Sequence, residues 1–193
     1  ADPASPTVRK PVNIPGTLRG LSHDGAVLYT VGVQWRSDWT TDWNEWLAAS
    51  AYDGVSASHI DSMPLREWPH PLQVYDGHVF LGRGPTDKTP AALEVWTLAD
   101  TGRFGLRSST VVASAVQELA VLGSLLVAQQ DRQVSLFDGS NPETILPLGK
   151  GAPKGCLWYQ LKNADGDVRR GLWLPLNEYG VDFIPVQTGH GQP

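Results

Sequence analysis

Cys156 is the only cysteine in 193 residues, and there is a single methionine. One thiol excludes an intrachain disulfide and any Cys-based zinc site. Its setting, "GCLWYQL", reads as a buried strand holding an inert core thiol. Positive charge is also scarce, with 15 Lys and Arg against 20 Asp and Glu, for a net charge of −5. No basic cluster exceeds a pair, so a phosphate-tracking nucleic-acid surface is excluded. No apolar run approaches the ~18 residues of a membrane-spanning helix. The five histidines form no HxH or HExxH pattern, and GxSxG and phosphate-binding glycine loops are missing. Helical periodicity is nearly absent too.

Turns and short strands fill the space left by these absences. Twenty Gly and fifteen Pro punctuate the chain. Between them recur runs of strand length, among them "GAVLYTVG", "EWLAASAY", "HVFLG", "ALEVWTL", "LLVAQQ", "QVSLF", "GLWLPL" and "VDFIPV". Each is rich in Val, Leu or aromatics and bounded by Gly, Asp, Asn or Pro, so the chain is all-β. The stretch 109–126 is read as two strands, because its β-branched start and Gly123 disfavour a helix.

The runs repeat. "LSHDGAVLYTVG" aligns with "LQVYDGHVFLGR" and with "LAVLGSLLVAQQ", placing Gly25, Gly77 and Gly123 in hairpin turns 52 and 46 residues apart. Glycine suits such turns because it takes positive φ without steric cost. A second hairpin follows each copy, with Asp53, Asp100, Asp138 and Glu178 as acidic turn residues. Four strands per ~40–50-residue unit is the signature of β-propeller blades. The expected fold is all-β and β-propeller-like, with about four four-stranded antiparallel blades, the last shortened to two hairpins. Residues 1–16 are expected to be a flexible leader, 17–187 the blades and 188–193 a flexible tail.

"ELAVLGSLLVAQQDRQVSLFDGSNPETILPLG" resembles one blade of the degenerate LVIVP-type and WD40-like propellers of secreted bacterial proteins. The matching residues are Leu122-Gly123, Leu125 to Ala128, Val134 to Asp138 and Asn141-Pro142. The resemblance covers this unit well and the others loosely, and it implies an extracellular or periplasmic location. Four-bladed propellers of this length are usually closed by a disulfide. This chain therefore either closes by packing alone or forms part of a larger ring.

One insertion stands out. "WRSDWTTDWNEW" places Trp35, Trp39, Trp43 and Trp46 at spacings of 4, 4 and 3, one face of a helical turn, interleaved with Asp38 and Asp42. Two readings are open. The indoles with the carboxylates of Asp38 and Asp42 can grip a sugar or a protein. Alternatively, they pack on the blade beneath. The indoles are expected to divide by role, with Trp46 buried as an anchor and Trp39 the most exposed.

"KNADGDVRRG" is the one metal candidate. Asn163, Asp165 and Asp167 alternate as oxygen donors as in the first half of a calcium loop, but Leu174 occupies the place of the bidentate acid. A hairpin turn built on Asp165-Gly166 is the preferred reading. No cofactor and no metal are expected. The expected function is a non-enzymatic interaction platform, or part of a larger propeller protein, whose rim loops bind a protein partner or whose ring is completed by the remaining blades. The alternatives are a carbohydrate-binding module using residues 35–46, and the non-catalytic half of a propeller enzyme. A catalytic propeller, such as a glycosidase or lactonase, has no residue signal here.

Overall fold

Leu125-Leu126-Val127-Ala128 is apolar at four successive positions and buried at all four, which suits a strand covered on both faces. The computed structural model describes residues 11–34, 44–65, 71–153, 161–176, 178 and 180–187, and it is built from such strands. Sheet A carries β1 (Thr17–Leu21), β2 (Val27–Gln34), β3 (Asn44–Tyr52) and β4 (Ala57–Leu65) in chain order. Sheet B repeats this with β5 (Leu72–Tyr75), β6 (His78–Arg83), β7 (Ala92–Leu98) and β8 (Phe104–Val111). Sheet C has β9 (Glu118–Leu122), β10 (Leu125–Gln130), β11 (Gln133–Asp138) and β12 (Leu146–Gly151). Sheet D has β13 (Asp165–Asp167), β14 (Gly171–Pro175) and β15 (Val181–Pro185), preceded by a 3-10 turn at Leu161–Asn163. Neighbouring strands pair antiparallel throughout, so each sheet is a meander.

Three apolar clusters fill the three gaps between successive sheets. Tyr29, Val31, Leu47 and Ala49 of sheet A meet Val79 and Leu81 of sheet B. Leu93 and Val95 of sheet B meet Leu126, Ala128 and Phe137 of sheet C. Leu125, Val127, Val134 and Leu136 of sheet C meet Leu172, Leu174 and Ile184 of sheet D. The first strands of neighbouring sheets touch, β1 on β5, β5 on β9 and β9 on β13, and so do the outer strands β4 and β8, and β12 and β15. Successive meanders stacked face to face in this way are β-propeller-like blades. No strand pair joins sheet D to sheet A in comparable contact among the described residues.

Close approach at the inner strands depends on missing side chains. A Cβ at Gly20 in β1 would lie 2.6 Å from the Val74 Cβ in β5, and one at Gly82 in β6 would lie 2.7 Å from the Val116 Cβ. Alternation of strand direction sorts the connections onto two rims. The hairpins β1–β2, β3–β4, β5–β6, β7–β8, β9–β10 and β11–β12 lie on one, the hairpin rim. The links β2–β3, β6–β7 and β10–β11, with those joining one sheet to the next, lie on the other, the connecting rim.

The repeat reading survives with changes of detail. Gly25, Gly77 and Gly123 all sit in first hairpins with positive φ, of 71°, 76° and 60°. Their seats differ, since Gly77 follows Asp76 (φ 50°) as the second turn residue, whereas Gly123 is the first of two. Stretch 109–126 forms no helix, and its strand content is split among the end of β8, β9 and the start of β10. The fourth unit has three described strands in place of two hairpins, and 154–160, with Cys156, lies outside the described residues. Asp165-Gly166 is not the turn of its hairpin. Both residues lie in β13, and the chain reverses over Val168 to Arg170. Gly166 is required for packing instead, because a Cβ there would run into the Gly171 carbonyl and the Leu125 side chain. Of the leader, residues 1–10 are outside the described residues, while Gly16 packs on Val31 and Gly32. Of the tail, 188–193 is outside them as well.

Gly20→Ala is expected to destabilise the fold by about 1–3 kcal/mol, the cost of overpacking a filled contact. Combining it with Val74→Ala should lower the cost of the glycine change, because the clash is with that side chain. Chemical denaturation of both single variants and the double variant checks this. Independent, additive effects would show that the first strands do not set the blade spacing.

Candidate functional site at the connecting rim

β1 pairs with β2 through a register shift between Leu18 and Gly20, so Arg19 is the extra residue of a β-bulge. Bulges re-aim side chains, and this one presents Arg19 to a cavity of about 360 Å³ between sheets A and B at the start of β9. Val31, Leu65, Leu72 and Leu119 form its apolar walls, while Arg19, Glu45, Gln73, Gln117 and Glu118 supply its polar groups. Glu45, Leu65, Pro71, Leu72 and Gln117 stand at the strand ends of the connecting rim, so the cavity belongs to that rim. Its volume falls within the ~300–1,000 Å³ of small-molecule sites.

The polar groups differ in how far they are committed. The Gln117 amide nitrogen donates to the Asp131 carboxylate at 3.4 Å, and its backbone N–H donates to the Gln129 carbonyl. Arg19 is exposed, and its guanidinium has no ion-pair partner among the described residues. The Arg19 guanidinium thus shares the cavity with the carboxylates of Glu45 and Glu118 and the amides of Gln73 and Gln117, a mixed polar set held against apolar walls.

Beside this cavity the rim is braced. Arg83 Nε donates to Glu94 Oε1 at 2.7 Å, and the Trp96 indole N–H donates to Glu94 Oε2 at 2.9 Å. A second Arg83 nitrogen donates to Thr89 Oγ1 at 2.8 Å, tying down the β6–β7 link. Glu94 is buried and Arg83 half-buried, so the pair sits where screening by water is weak. It fixes the loop and leaves no free group for chemistry.

The face of sheet A turned away from sheet B carries an open groove of about 440 Å³ lined by Pro15, Gly16, Gly32, Trp46, Ala48, His59 and Ser62. Trp46 is half-buried rather than enclosed, although its indole N–H is fully buried and has no acceptor. The other indoles and acids of the insertion, Trp35, Trp39, Trp43, Asp38 and Asp42, lie outside the described residues.

At the calcium candidate, Asn163 and Asp165 are exposed, and the Asp167 carboxylate accepts from the backbone N–H groups of Arg169 and Arg170 at 2.8 and 2.9 Å. Those two hydrogen bonds, both to Oδ1, hold its pKa below the usual value, while Oδ2 faces Arg170 Nε at 3.7 Å. Among the described residues no group of three or more His, Cys, Asp or Glu is placed to hold a metal. His70 and His190 are outside those residues, and His23 pairs with Asp76 at 2.6 Å on the hairpin rim.

Sequence reasoning passed over Arg19. The one signal was a charged residue inside the otherwise apolar or small "GTLRGL", and the bulge that aims it depends on pairing with β2.

No family model matches the chain, and no curated protein matches it. Among solved structures it is similar to the periplasmic gluconolactonase of Pseudomonas aeruginosa, at 13% identity and a TM-score of 0.44, over 100% of this chain and 78% of that one. It is also similar to a protein from Lactobacillus plantarum, at 13% identity and a TM-score of 0.39, over 94% and 73%. Likenesses this distant carry no activity across.

Three turn aspartates, Asp24, Asp53 and Asp167, make the hairpin turns acid-sensitive. Asp24 is held below its usual pKa by the Ser22 hydroxyl and then the Ala26 N–H, and Asp53 by the N–H groups of Ser56 and Val55. Asp167 behaves likewise. A carboxylate with a depressed folded pKa stabilises above its unfolded value, here 3.8, and that contribution is lost as pH falls through the folded pKa. The expected outcome is that these turns contribute a constant share of Tm from pH 7 to pH 5 and lose it below pH ~4. Asp53→Ala should lower Tm at pH 7 and flatten the acid limb. Calorimetry between pH 2 and 7 checks this, and an unchanged acid limb in Asp53→Ala would remove the turn from the account.

Proposed function

We propose that the chain is a non-catalytic binding module whose propeller-like blades present a protein partner with the connecting rim. What carries this reading is that the cavity with the uncommitted Arg19 opens at the same rim where β2 ends and β3 begins, the two ends of the Trp-rich connection. Propellers and other rigid scaffolds place recognition on the longer links between strands. The opposite rim is made of short turns, and its cavity of about 280 Å³ is smaller than the one at the connecting rim. Asp53 caps its own turn through Val55 and Ser56, and Asp138 accepts from the Ser140 N–H.

On this reading Trp35, Trp39, Trp43, Asp38 and Asp42 form the contact surface with Arg19 beside them, and no cofactor takes part. The module works outside the cytoplasm, as the resemblance of its third unit implies. A glycan ligand is the second reading, and it rests on the indole-rich composition of the same connection.

Arg19→Ala is expected to leave Tm within about 2 °C, since exposed substitutions change stability little, and on this reading of Trp39 as a contact residue Trp39→Ala should do the same. Trp46→Ala should cost about 2–3 kcal/mol, less than a fully enclosed indole. A photo-reactive residue at position 39 should cross-link one partner species from the source organism's extract, and one at Val55 on the hairpin rim should not. Equal labelling from both positions would sink the rim assignment. Binding on a glycan array that disappears in Trp39→Ala would replace the protein partner with a sugar.

A further inference from the structure

Between sheets B and C, toward their outer strands, lies a further cavity of about 410 Å³, within the ~300–1,000 Å³ of small-molecule sites. The strand register accounts for its lining. Ser135 in β11 is opposite Ala128 in β10 and Lys150 in β12, and Gln130 is opposite Gln133. Ala128 and Phe137 face sheet B, so Gln130, Gln133, Ser135 and Lys150 share that face through the two-residue alternation of strands. Val111 to Ala113, at the end of β8, close the cavity from the side of sheet B. Gln187 is brought to it by its backbone N–H, which donates to the Leu148 carbonyl of β12 at 2.7 Å.

Its floor is polar and fixed. Gln130 and Ser135 are both buried; the Gln130 amide nitrogen donates to the Ser114 carbonyl at 2.7 Å, and its oxygen accepts from the Ser135 hydroxyl at 2.8 Å. The remaining polar groups are uncommitted: Lys150 is exposed, and neither its ammonium nor the side-chain amides of Gln133 and Gln187 have a partner among the described residues. No carboxylate lines this cavity, although the chain has a net charge of −5. The cavity at Arg19 holds Glu45 and Glu118, and the one on the hairpin rim holds Asp76. Neighbouring acids are engaged elsewhere, Glu143 with Arg107 at 3.5 Å and Asp131 with the Gln117 amide at 3.4 Å. Val112, Phe137 and Pro147 supply apolar surface beside the ammonium and the amides.

We infer that this cavity binds a small organic carboxylate, with its oxygens on the Lys150 ammonium and the Gln133 and Gln187 amides and its hydrocarbon body against Val112, Phe137 and Pro147. A charged acceptor makes stronger hydrogen bonds than a neutral one, and the donors here face no competing acid. One ammonium balances one negative charge, so a carboxylate monoanion fits where a phosphate dianion would be left half neutralised. The apolar walls then favour an acid with a short aliphatic chain over a bare ion. This inference is independent of the partner surface proposed above, since it uses neither Arg19 nor the Trp-rich connection.

Titration of the isotope-labelled chain with hexanoate, followed by NMR of its backbone and side-chain amides, tests it. Saturable shifts are expected at Gln133, Lys150 and Gln187, with a Kd of about 1 mM. Acetate should bind at least about tenfold more weakly for want of the hydrocarbon body. Hexylamine should not bind, because it meets Lys150 as a like charge. Lys150→Met keeps the aliphatic stem and should weaken hexanoate at least about tenfold with an unchanged circular dichroism spectrum. Lys150→Gln replaces it if that variant does not fold. Lys88→Met removes another exposed cation, in the β6–β7 link, and should change nothing. A free acid and a peptide C-terminus share the carboxylate: tighter binding of acetyl-Ala-Leu than of hexanoate assigns the cavity to chain ends, and weaker binding assigns it to free acids. The absence of saturable shifts by about 20 mM hexanoate overturns the inference. So does hexanoate binding that survives Lys150→Met, or hexylamine binding that equals it.

Discussion

Face-to-face burial of neighbouring sheets is the constraint on which the rest depends. A single four-stranded meander of this composition cannot cover both of its apolar faces, so no blade is stable alone. That is why the central strands are apolar at successive positions, as in Val79-Phe80-Leu81, while outer strands such as β8 alternate. The same demand explains Gly20 and Gly82, which allow first strands and linkers to approach closely at the inner edge of the stack. Some buried polar groups tie the connections down, while the Thr30 hydroxyl and the Trp46 indole N–H are buried without a partner among the described residues. Gln130 donates to the Ser114 carbonyl and accepts from Ser135, joining the β8–β9 link to two strands of sheet C. Each such tie fixes a connection to a blade that is already rigid.

Rigid blades leave the rims as the places where sequence can vary without loss of fold. The two rims have used that freedom differently. On the hairpin rim the side chains close the turns and link neighbouring blades, as when Ser108 donates to the Pro142 carbonyl and Tyr29 to the Gly77 carbonyl. A smaller cavity of about 280 Å³ also opens there, lined by Tyr75, Asp76, His78, Ser124 and Ser140. On the connecting rim the Arg83–Glu94–Trp96 cluster locks one link firmly, and a cavity at the same rim gathers Arg19, Glu45, Gln73, Gln117 and Glu118. A pocket walled by rigid blades would need little ordering to hold a ligand.

The all-β class, the repeat and the strand-level punctuation were legible because they rest on local chemistry. Gly77 after Asp76 and the acid at Asp53 mark turns whose residues satisfy one another within a few positions. Asp165-Gly166 misled for the same reason. A strong local turn signal was overridden by tertiary packing, since Gly166 is needed against Leu125 in another sheet. The cavity was illegible because it gathers Arg19, Gln73 and Gln117 from three different blades, and because a bulge aims the first. Trp46 fell between. Its place at the root of β3 was readable, but its degree of burial depends on what lies across sheet A.

An arc of sheets exposes two kinds of surface, outer edges and end faces, and this chain treats them differently. Unpaired edges invite indiscriminate strand addition. Here the outer strands carry Pro64 in β4, Arg107 in β8, and Pro147 and Lys150 in β12, and β15 ends in Pro185. Proline removes an edge donor, and charge resists a flat apolar neighbour. The end face of sheet D has no such protection, since Trp173, Val181 and Phe183 are presented together. Outer edges are thus guarded by proline and charge, while the face of sheet D turned away from sheet C is apolar among the described residues.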